Sequence, residues 1–104
     1  MLELNKDNFK KEVLDFTATV LVDFFAPWCG PCKMMLPVVE EISKEIEGSA
    51  AMKIAKVNVD ENSELAEEYG IMSIPCFVLF KGGKEVERVM GAQAKAALLE
   101  LLKK

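Results

Sequence analysis

Histidine is absent from this chain of 104 residues, and tryptophan and tyrosine occur once each. Without an imidazole, neither a Cys-His nor a Ser-His-Asp nucleophile can form, and most catalytic zinc sites are excluded as well. Basic charge is also scarce, because 13 Lys and Arg residues face 17 Asp and Glu residues and the net charge is -4. With no excess of cations to neutralise phosphates, we expect no nucleic-acid partner.

Long apolar runs are missing too. The apolar stretches are far shorter than the ~20 residues that a membrane-spanning helix needs, so we expect no membrane segment. The start Met1-Leu2-Glu3-Leu4 has no basic stretch followed by a long apolar one, which is the pattern of a signal peptide. We therefore expect the cytoplasm, where thiols stay reduced, unless a targeting segment was removed earlier. The length predicts one domain, residues 1–104.

Cysteine occurs three times, and an odd number fits a disulfide framework poorly. Two of the cysteines lie close together in Trp28-Cys29-Gly30-Pro31-Cys32, directly after the apolar run of residues 20–26. Such a pair at a strand-to-helix junction predicts a reversible disulfide and redox chemistry. The alternatives are an inert bridge or a metal site. Cys29, Cys32 and Cys76 would give a metal three thiolates at most, which is one short of a closed tetrahedral site.

Strand and helix patterns alternate along the chain in the order βαβαβαββα. Strands are predicted over residues 2–4, 19–25, 52–59, 76–80 and 84–90, and helices after Asn5, from Cys32, after Asn62 or Ser63, and from Ala94 to Leu102. This alternation implies an α/β fold with parallel strand pairing. Gly82-Gly83 predicts a hairpin that adds an antiparallel edge strand.

The two close cysteines are expected to differ in role. At the first turn of a helix, free backbone N–H groups and the helix dipole favour the thiolate of Cys29. Cys32, one turn further on, is expected to be more buried, so we predict Cys29 as the nucleophile and Cys32 as the resolving thiol. Gly30 leaves the sulfur open to a bulky substrate, and Pro31 fits the first helical turn. Trp28 is interpreted as a lid or docking surface, or as a local packing residue.

Asp23 interrupts an apolar strand, where a carboxylate is costly unless it is paired or protonated. One interpretation is a proton acceptor for Cys32 with a raised pKa, and the other is a carboxylate that faces water or pairs with a lysine. Lys56 is a candidate partner for Asp23, or else a lysine whose ammonium extends to solvent.

An apolar loop that contains Met72 and Ile74 precedes the strand predicted from residue 76. It fits either core packing or an exposed docking patch. Pro75 lies in a tight turn there and is a candidate for a cis peptide bond, although trans is the statistical default. No Gly-x-Gly-x-x-Gly motif follows a strand, so we expect no bound flavin or nicotinamide cofactor.

Motifs along nearly the whole chain, from about Leu2 to Leu102, resemble the thioredoxin family. They are Val22-Asp23-Phe24-Phe25-Ala26-Pro27-Trp28-Cys29-Gly30-Pro31-Cys32-Lys33-Met34, Ala55-Lys56-Val57-Asn58-Val59-Asp60, Tyr69-Gly70-Ile71, Ile74-Pro75, Lys81-Gly82-Gly83 and Val89-Met90-Gly91-Ala92. The resemblance implies a thioredoxin fold, in which four helices flank a central mixed five-stranded sheet whose first three strands are parallel. It also implies that Asp23 is a buried acid near Lys56 and that Pro75 is cis and lies against the dithiol. The implied docking surface for clients consists of Trp28, Gly30, Pro31, Ile74, Pro75, Gly91 and Ala92.

The activity implied by the resemblance is that of a protein-disulfide reductase. Such a protein cycles between dithiol and disulfide, is recycled by a thioredoxin reductase, reduces disulfide-containing client proteins and acts as a monomer without a bound cofactor. The alternatives are an electron donor dedicated to one client enzyme and a non-catalytic binding module. Cys76 stands where thioredoxins usually have threonine, and it is either a small buried residue or a regulatory thiol. Met72-Ser73 and Ala94 also depart from the family pattern.

Overall fold

The computed structural model describes residues 1–104. Its strands are β1 (Leu2–Leu4), β2 (Thr19–Phe25), β3 (Met52–Asn58), β4 (Cys76–Lys81) and β5 (Lys84–Met90). A short π-helical segment, Lys10–Leu14, follows β1, and the α-helices are α1 (Gly30–Glu45), α2 (Ser63–Glu68) and α3 (Lys95–Leu102). Five strands and four helices therefore follow one another in the predicted order.

The strands form one mixed sheet in the order β1-β3-β2-β4-β5. β1, β2 and β3 pair in parallel, whereas β4 pairs antiparallel with both β2 and β5. β2 lies at the centre and six of its seven residues are buried, which explains why its sequence is almost continuously apolar. The α/β thioredoxin fold expected from the sequence is confirmed.

Alternate residues of the central strands pack into two cores, one on each face of the sheet. One core contains Val20, Val22 and Phe24 of β2 and is covered by the π-helical segment and α2. The other contains Leu21 of β2 and is covered by α1 and α3, whose buried residues are Met35, Val39, Ile42, Leu98, Leu101 and Leu102. Asp23, two residues after Leu21, lies on this second face.

Asn5 and Asn8 form a capping box ahead of the first helix. The Oδ1 atom of Asn5 accepts from the N–H groups of Asp7 and Asn8, at 2.8 and 3.1 Å. The Oδ1 atom of Asn8 in turn accepts from the N–H of Asn5, at 2.7 Å. Asn5 therefore caps the helix that is predicted to follow it. The segment that follows is π-helical over Lys10–Leu14. The spacing of Phe9 and Val13 in the sequence predicts a helix but does not tell a π-helix from an α-helix.

Gly82 and Gly83 form the predicted hairpin turn between β4 and β5. Both have positive φ, 59° and 83°, which suits a two-residue turn between twisted strands. β5 is the edge strand, and the register between β4 and β5 is irregular at Leu79 and Phe80. No helix of the structure has both the length and the apolar character needed to cross a bilayer.

Candidate active site

The Cys29–Cys32 pair lies where β2 leads into α1. Cys29 is the N-cap of α1, with extended backbone, and its sulfur accepts a hydrogen bond from the N–H of Cys32 at 3.2 Å. Pro31 occupies the first turn, where its missing N–H leaves no bond unmade. The N–H of Cys32 and the positive end of the helix dipole are thus directed at the Cys29 sulfur.

Cys29 and Cys32 are joined by a disulfide, and their Cα atoms are 5.2 Å apart. Contrary to the expectation that Cys32 is the more buried, both residues are 5% exposed. The reason is that both pack with Ala26 against the half-buried side chains of Phe25, Val59 and Ile74. What distinguishes the two sulfurs is their place on the helix, since Cys29 precedes the first turn and Cys32 lies within it.

Asp23 is buried on the sheet face that α1 and α3 cover. It is 3% exposed, and its Oδ1 atom has no hydrogen-bond partner. Burial raises the pKa of the Asp23 carboxyl to about 7, and the positive charge of Lys56 opposes that rise only in part. A carboxyl with this pKa can take up and release a proton near neutral pH.

Lys56 lies between two carboxylates in one row across the sheet. In the strand register it is opposite Asp23 of β2 and Glu3 of β1. Its ammonium is 4.0 Å from Glu3 Oε1 and 5.5 Å from the ring centroid of Phe25, and it forms no ion pair with Asp23. Lys56 therefore acts on Asp23 as a nearby charge while its ammonium extends toward the sheet edge.

Trp28 is 68% exposed, yet its indole is held in place. Its Nε1 donates to Asp60 Oδ2 at 2.8 Å. Asp60 is in turn oriented by Asn58, whose Oδ1 accepts from the Asp60 N–H at 2.9 Å. Asp60 is a residue of the site that is not among those predicted from the sequence. A signal was available, because β2 and β3 are parallel and the residues after their carboxyl ends meet at one edge of the sheet.

The loop of residues 71–75 lies beside the dithiol, and we refer to it as the docking loop. The carbonyl oxygen of Ile74 is 3.9 Å from Cys29 Sγ, and the Ile74–Pro75 peptide bond is cis. The N–H of Gly91 donates to the carbonyl of Pro75 at 2.8 Å, which joins the segment of Gly91 and Ala92 to this loop.

A groove of about 450 Å³ opens beside the docking loop and is lined mainly by Trp28, Val59, Ala66, Ile71, Met72 and Ile74. Met72 is 92% exposed.

Cys76 does not join the dithiol. It follows Pro75 in β4, where it pairs with Phe24 and Met90, and it packs into the core covered by α2, on the sheet face opposite Asp23. Cys76 is 1% exposed, and burial raises the pKa of its thiol. The positive charge of Arg88 opposes this rise only in part, so the thiol is not activated.

Comparison with known proteins identifies the family. The family model Thioredoxin matches residues 1–104. The chain belongs to the thioredoxin family. It is 51% identical over 102 residues to Thioredoxin 1 of Nostoc sp., which covers 98% of this chain and 94% of that protein. It is 50% identical over 97 residues to a thioredoxin of Rickettsia felis, with 93% and 90% covered. It is 48% identical over 101 residues to the chloroplastic M-type thioredoxin of Chlamydomonas reinhardtii, with 97% and 71% covered.

Family membership and the Cys29–Cys32 pair together make this chain a protein-disulfide oxidoreductase. Neither a non-catalytic binding module nor a donor dedicated to one client is favoured by these findings. No cluster of three or more Cys, Asp and Glu side chains in the structure could hold a metal ion.

Proposed function

We propose that this thioredoxin reduces disulfides in client proteins, with Cys29 as the nucleophile and Cys32 as the resolving thiol. The observation that carries the assignment is the position of Cys29 at the N-cap of α1. The Cys29 thiolate attacks one sulfur of the client disulfide, and the other client sulfur leaves as a thiolate. Cys32 then attacks Cys29 Sγ in the mixed disulfide and expels the second client sulfur. Two electrons pass to the client, and Cys29 and Cys32 end as a disulfide.

Asp23 is proposed as the proton acceptor for Cys32 in the second step. A carboxyl with a pKa of about 7 is ionised often enough near neutral pH to accept the thiol proton. Its place on the face under α1, the helix that carries Cys32, supports this role. Lys56 is proposed to assist as the neighbouring cation that keeps the Asp23 pKa from rising further.

Client chains are proposed to dock around Cys29. The surface consists of Trp28, Gly30 and Pro31 on one side and Ile74, Pro75, Gly91 and Ala92 on the other. The contact of Ile74 with Cys29 Sγ and the bond from Gly91 to Pro75 support this grouping.

The oxidised protein is proposed to be recycled by a thioredoxin reductase through the same pair of cysteines, with no cofactor bound to this chain. We propose that residues 1–104 work as a single domain and a monomer, and that the protein acts in the cytoplasm. The names of the relatives support a thioredoxin reductase as the source of electrons. The chloroplastic relative shows that related proteins also work in another compartment.

A redox titration tests the proposal. The protein is equilibrated in dithiothreitol redox buffers at pH 7, and free thiols are alkylated and counted by mass. We expect one two-electron transition near the value typical of thioredoxins, about −270 mV. A midpoint between about −180 and −120 mV would indicate an isomerase or an oxidant instead. The wild-type protein should also reduce insulin. The Cys29→Ser variant should lose this activity, and the Cys32→Ser variant should stop at a trapped mixed disulfide with insulin.

A further inference from the structure

The docking loop is tied to edge strand β5 at both of its ends. At its C-terminal end, the Gly91 N–H that follows β5 donates to the Pro75 carbonyl at 2.8 Å. At its N-terminal end, the loop leaves α2 through Tyr69 and Gly70, and the contact with β5 there is made by one side chain, Arg88. The middle of the loop has no such tie, and Met72 and Ser73 are exposed.

Arg88 reaches from β5 to the end of α2 by two guanidinium nitrogens. Its Nη2 donates to the carbonyl of Tyr69 at 2.8 Å, and its Nη1 lies 3.5 Å from the carbonyl of Gly70. No backbone N–H donates to either carbonyl. Tyr69 is the C-cap of α2 and Gly70 follows it, so both carbonyls lie at the negative end of the helix dipole, where a cation is favoured.

Glu85 holds the guanidinium in the orientation that this contact needs. Its carboxylate accepts two bonds, from Nε at 2.7 Å and from Nη2 at 2.8 Å. The Arg88 and Glu85 side chains are 28% and 32% exposed, so the pair is partly shielded from water. A lysine could not make the paired contact with Glu85 and still reach both carbonyls, because its ammonium is a single point of donation.

We propose that Arg88 is a positioning residue for client binding, which holds the N-terminal end of the docking loop so that Ile74 stays beside Cys29. This inference rests on the proposed function, because it assumes that clients dock on this loop. Arg88 itself lies outside the docking surface and outside the dithiol. Its loss should therefore weaken the binding of a protein client while leaving the redox chemistry unchanged.

The test compares two disulfide substrates in the Arg88→Ala variant. Under the proposed function insulin contacts the docking loop, whereas 5,5′-dithiobis(2-nitrobenzoic acid) is small enough to react at Cys29 without that contact. We expect the KM for insulin to rise roughly 3- to 10-fold, the cost of ordering a loosened segment on binding. The kcat for insulin, the rate with the small disulfide and the midpoint potential should stay at wild-type values. Amide hydrogen exchange should become faster at Ile71, whose N–H donates to the carbonyl of Ala66 at 2.8 Å.

Two further variants keep the test decisive. Lys84→Ala is the control, because it removes the same charge from the same strand. Lys84 makes no ion pair or side-chain hydrogen bond, so the KM of this variant for insulin should not change. Arg88→Lys retains the charge and should show part of the defect, and it replaces Arg88→Ala if that variant does not fold. An unchanged insulin KM in folded Arg88 variants, or an equal loss with both substrates, would overturn the inference. Failure of the wild type to reduce insulin would instead refute the proposed function.

Discussion

At the scale of single residues, the buried carboxyl of Asp23 makes stability depend on pH. Its pKa is about 7 in the folded protein and 3.8 as an ordinary carboxyl, so between these values the folded state holds more protons than the unfolded state. The contribution of Asp23 to stability therefore falls as pH rises from about 4 to about 7. Asp23→Asn removes this loss, and we expect it to raise the free energy of unfolding by roughly 2–4 kcal/mol at pH 8 and hardly at all at pH 4. Urea unfolding of the oxidised protein at both pH values measures this.

The same substitution should slow client reduction near neutral pH, because Cys32 loses its proton acceptor. The rate of single-turnover insulin reduction, monitored by thiol alkylation at pH values from 6 to 9, would show the change. Asp15→Asn serves as the control, because Asp15 is exposed and pairs only with Lys10. A pH–rate profile of Asp23→Asn that matches the wild type would show that Asp23 affects stability alone.

Trp28 offers a second test at this scale, since its exposed ring is fixed by one hydrogen bond to Asp60. We expect Asp60→Ala to release the indole, which would lower the steady-state fluorescence anisotropy of this single tryptophan and raise the KM for insulin. Glu61→Ala is the matched control, because Glu61 is an exposed neighbour and the indole donates to Asp60 instead. Unchanged anisotropy in Asp60→Ala would mean that neighbouring apolar contacts alone hold the ring.

At the scale of elements, the hairpin between β4 and β5 has two glycines under different constraints. Both have positive φ, but only at Gly83 would a Cβ overlap the backbone carbonyl of Leu14. We expect Gly82→Ala to cost about 1–2 kcal/mol for left-handed backbone. Gly83→Ala should cost roughly 2–5 kcal/mol, because the end of the π-helical segment must also move. Urea unfolding distinguishes the two, and equal losses would show that Leu14 yields without resistance.

Local patterns predicted most elements, and the exceptions have physical causes. β2 was predicted at its observed bounds because both of its faces are buried, which leaves an unbroken apolar run. The first helix was predicted without its π character, since apolar spacing does not report which carbonyl each N–H selects. In β5, alternation fails at Arg88 and Val89, and the structure explains the failure at Arg88, whose guanidinium crosses to the end of α2.

At the scale of the whole molecule, the parts of the site that were missed are those that join distant segments. The dithiol could be predicted because its two cysteines are neighbours in sequence. The bond from Trp28 to Asp60 spans 32 residues, and that from Arg88 to Tyr69 spans 19. No local pattern encodes such a pair. Only the sheet order, which places β3 beside β2 and β5 beside β4, brings these side chains into contact.

Cys76 gives a thiol probe for the stability of the whole sheet. It packs in the core between β2 and β5, so a reagent reaches it only when the strands separate. In a Cys29→Ser, Cys32→Ser variant, Cys76 is the remaining thiol. We expect its alkylation by iodoacetamide to be negligible in native buffer and to increase with urea along the unfolding transition measured by circular dichroism. The free energy of opening derived from labelling should then equal that of global unfolding.

The competing interpretation of Cys76, a regulatory thiol, predicts the opposite behaviour. A regulatory thiol must meet its oxidant in the folded protein, so labelling would proceed in native buffer with a weak dependence on urea. The buried position and the raised pKa of the thiol argue against this, because the reactive form is the exposed thiolate. Cys76→Thr separates the two interpretations further. A core residue predicts a change in unfolding free energy with unaltered client reduction, whereas a regulatory thiol predicts lost sensitivity to peroxide.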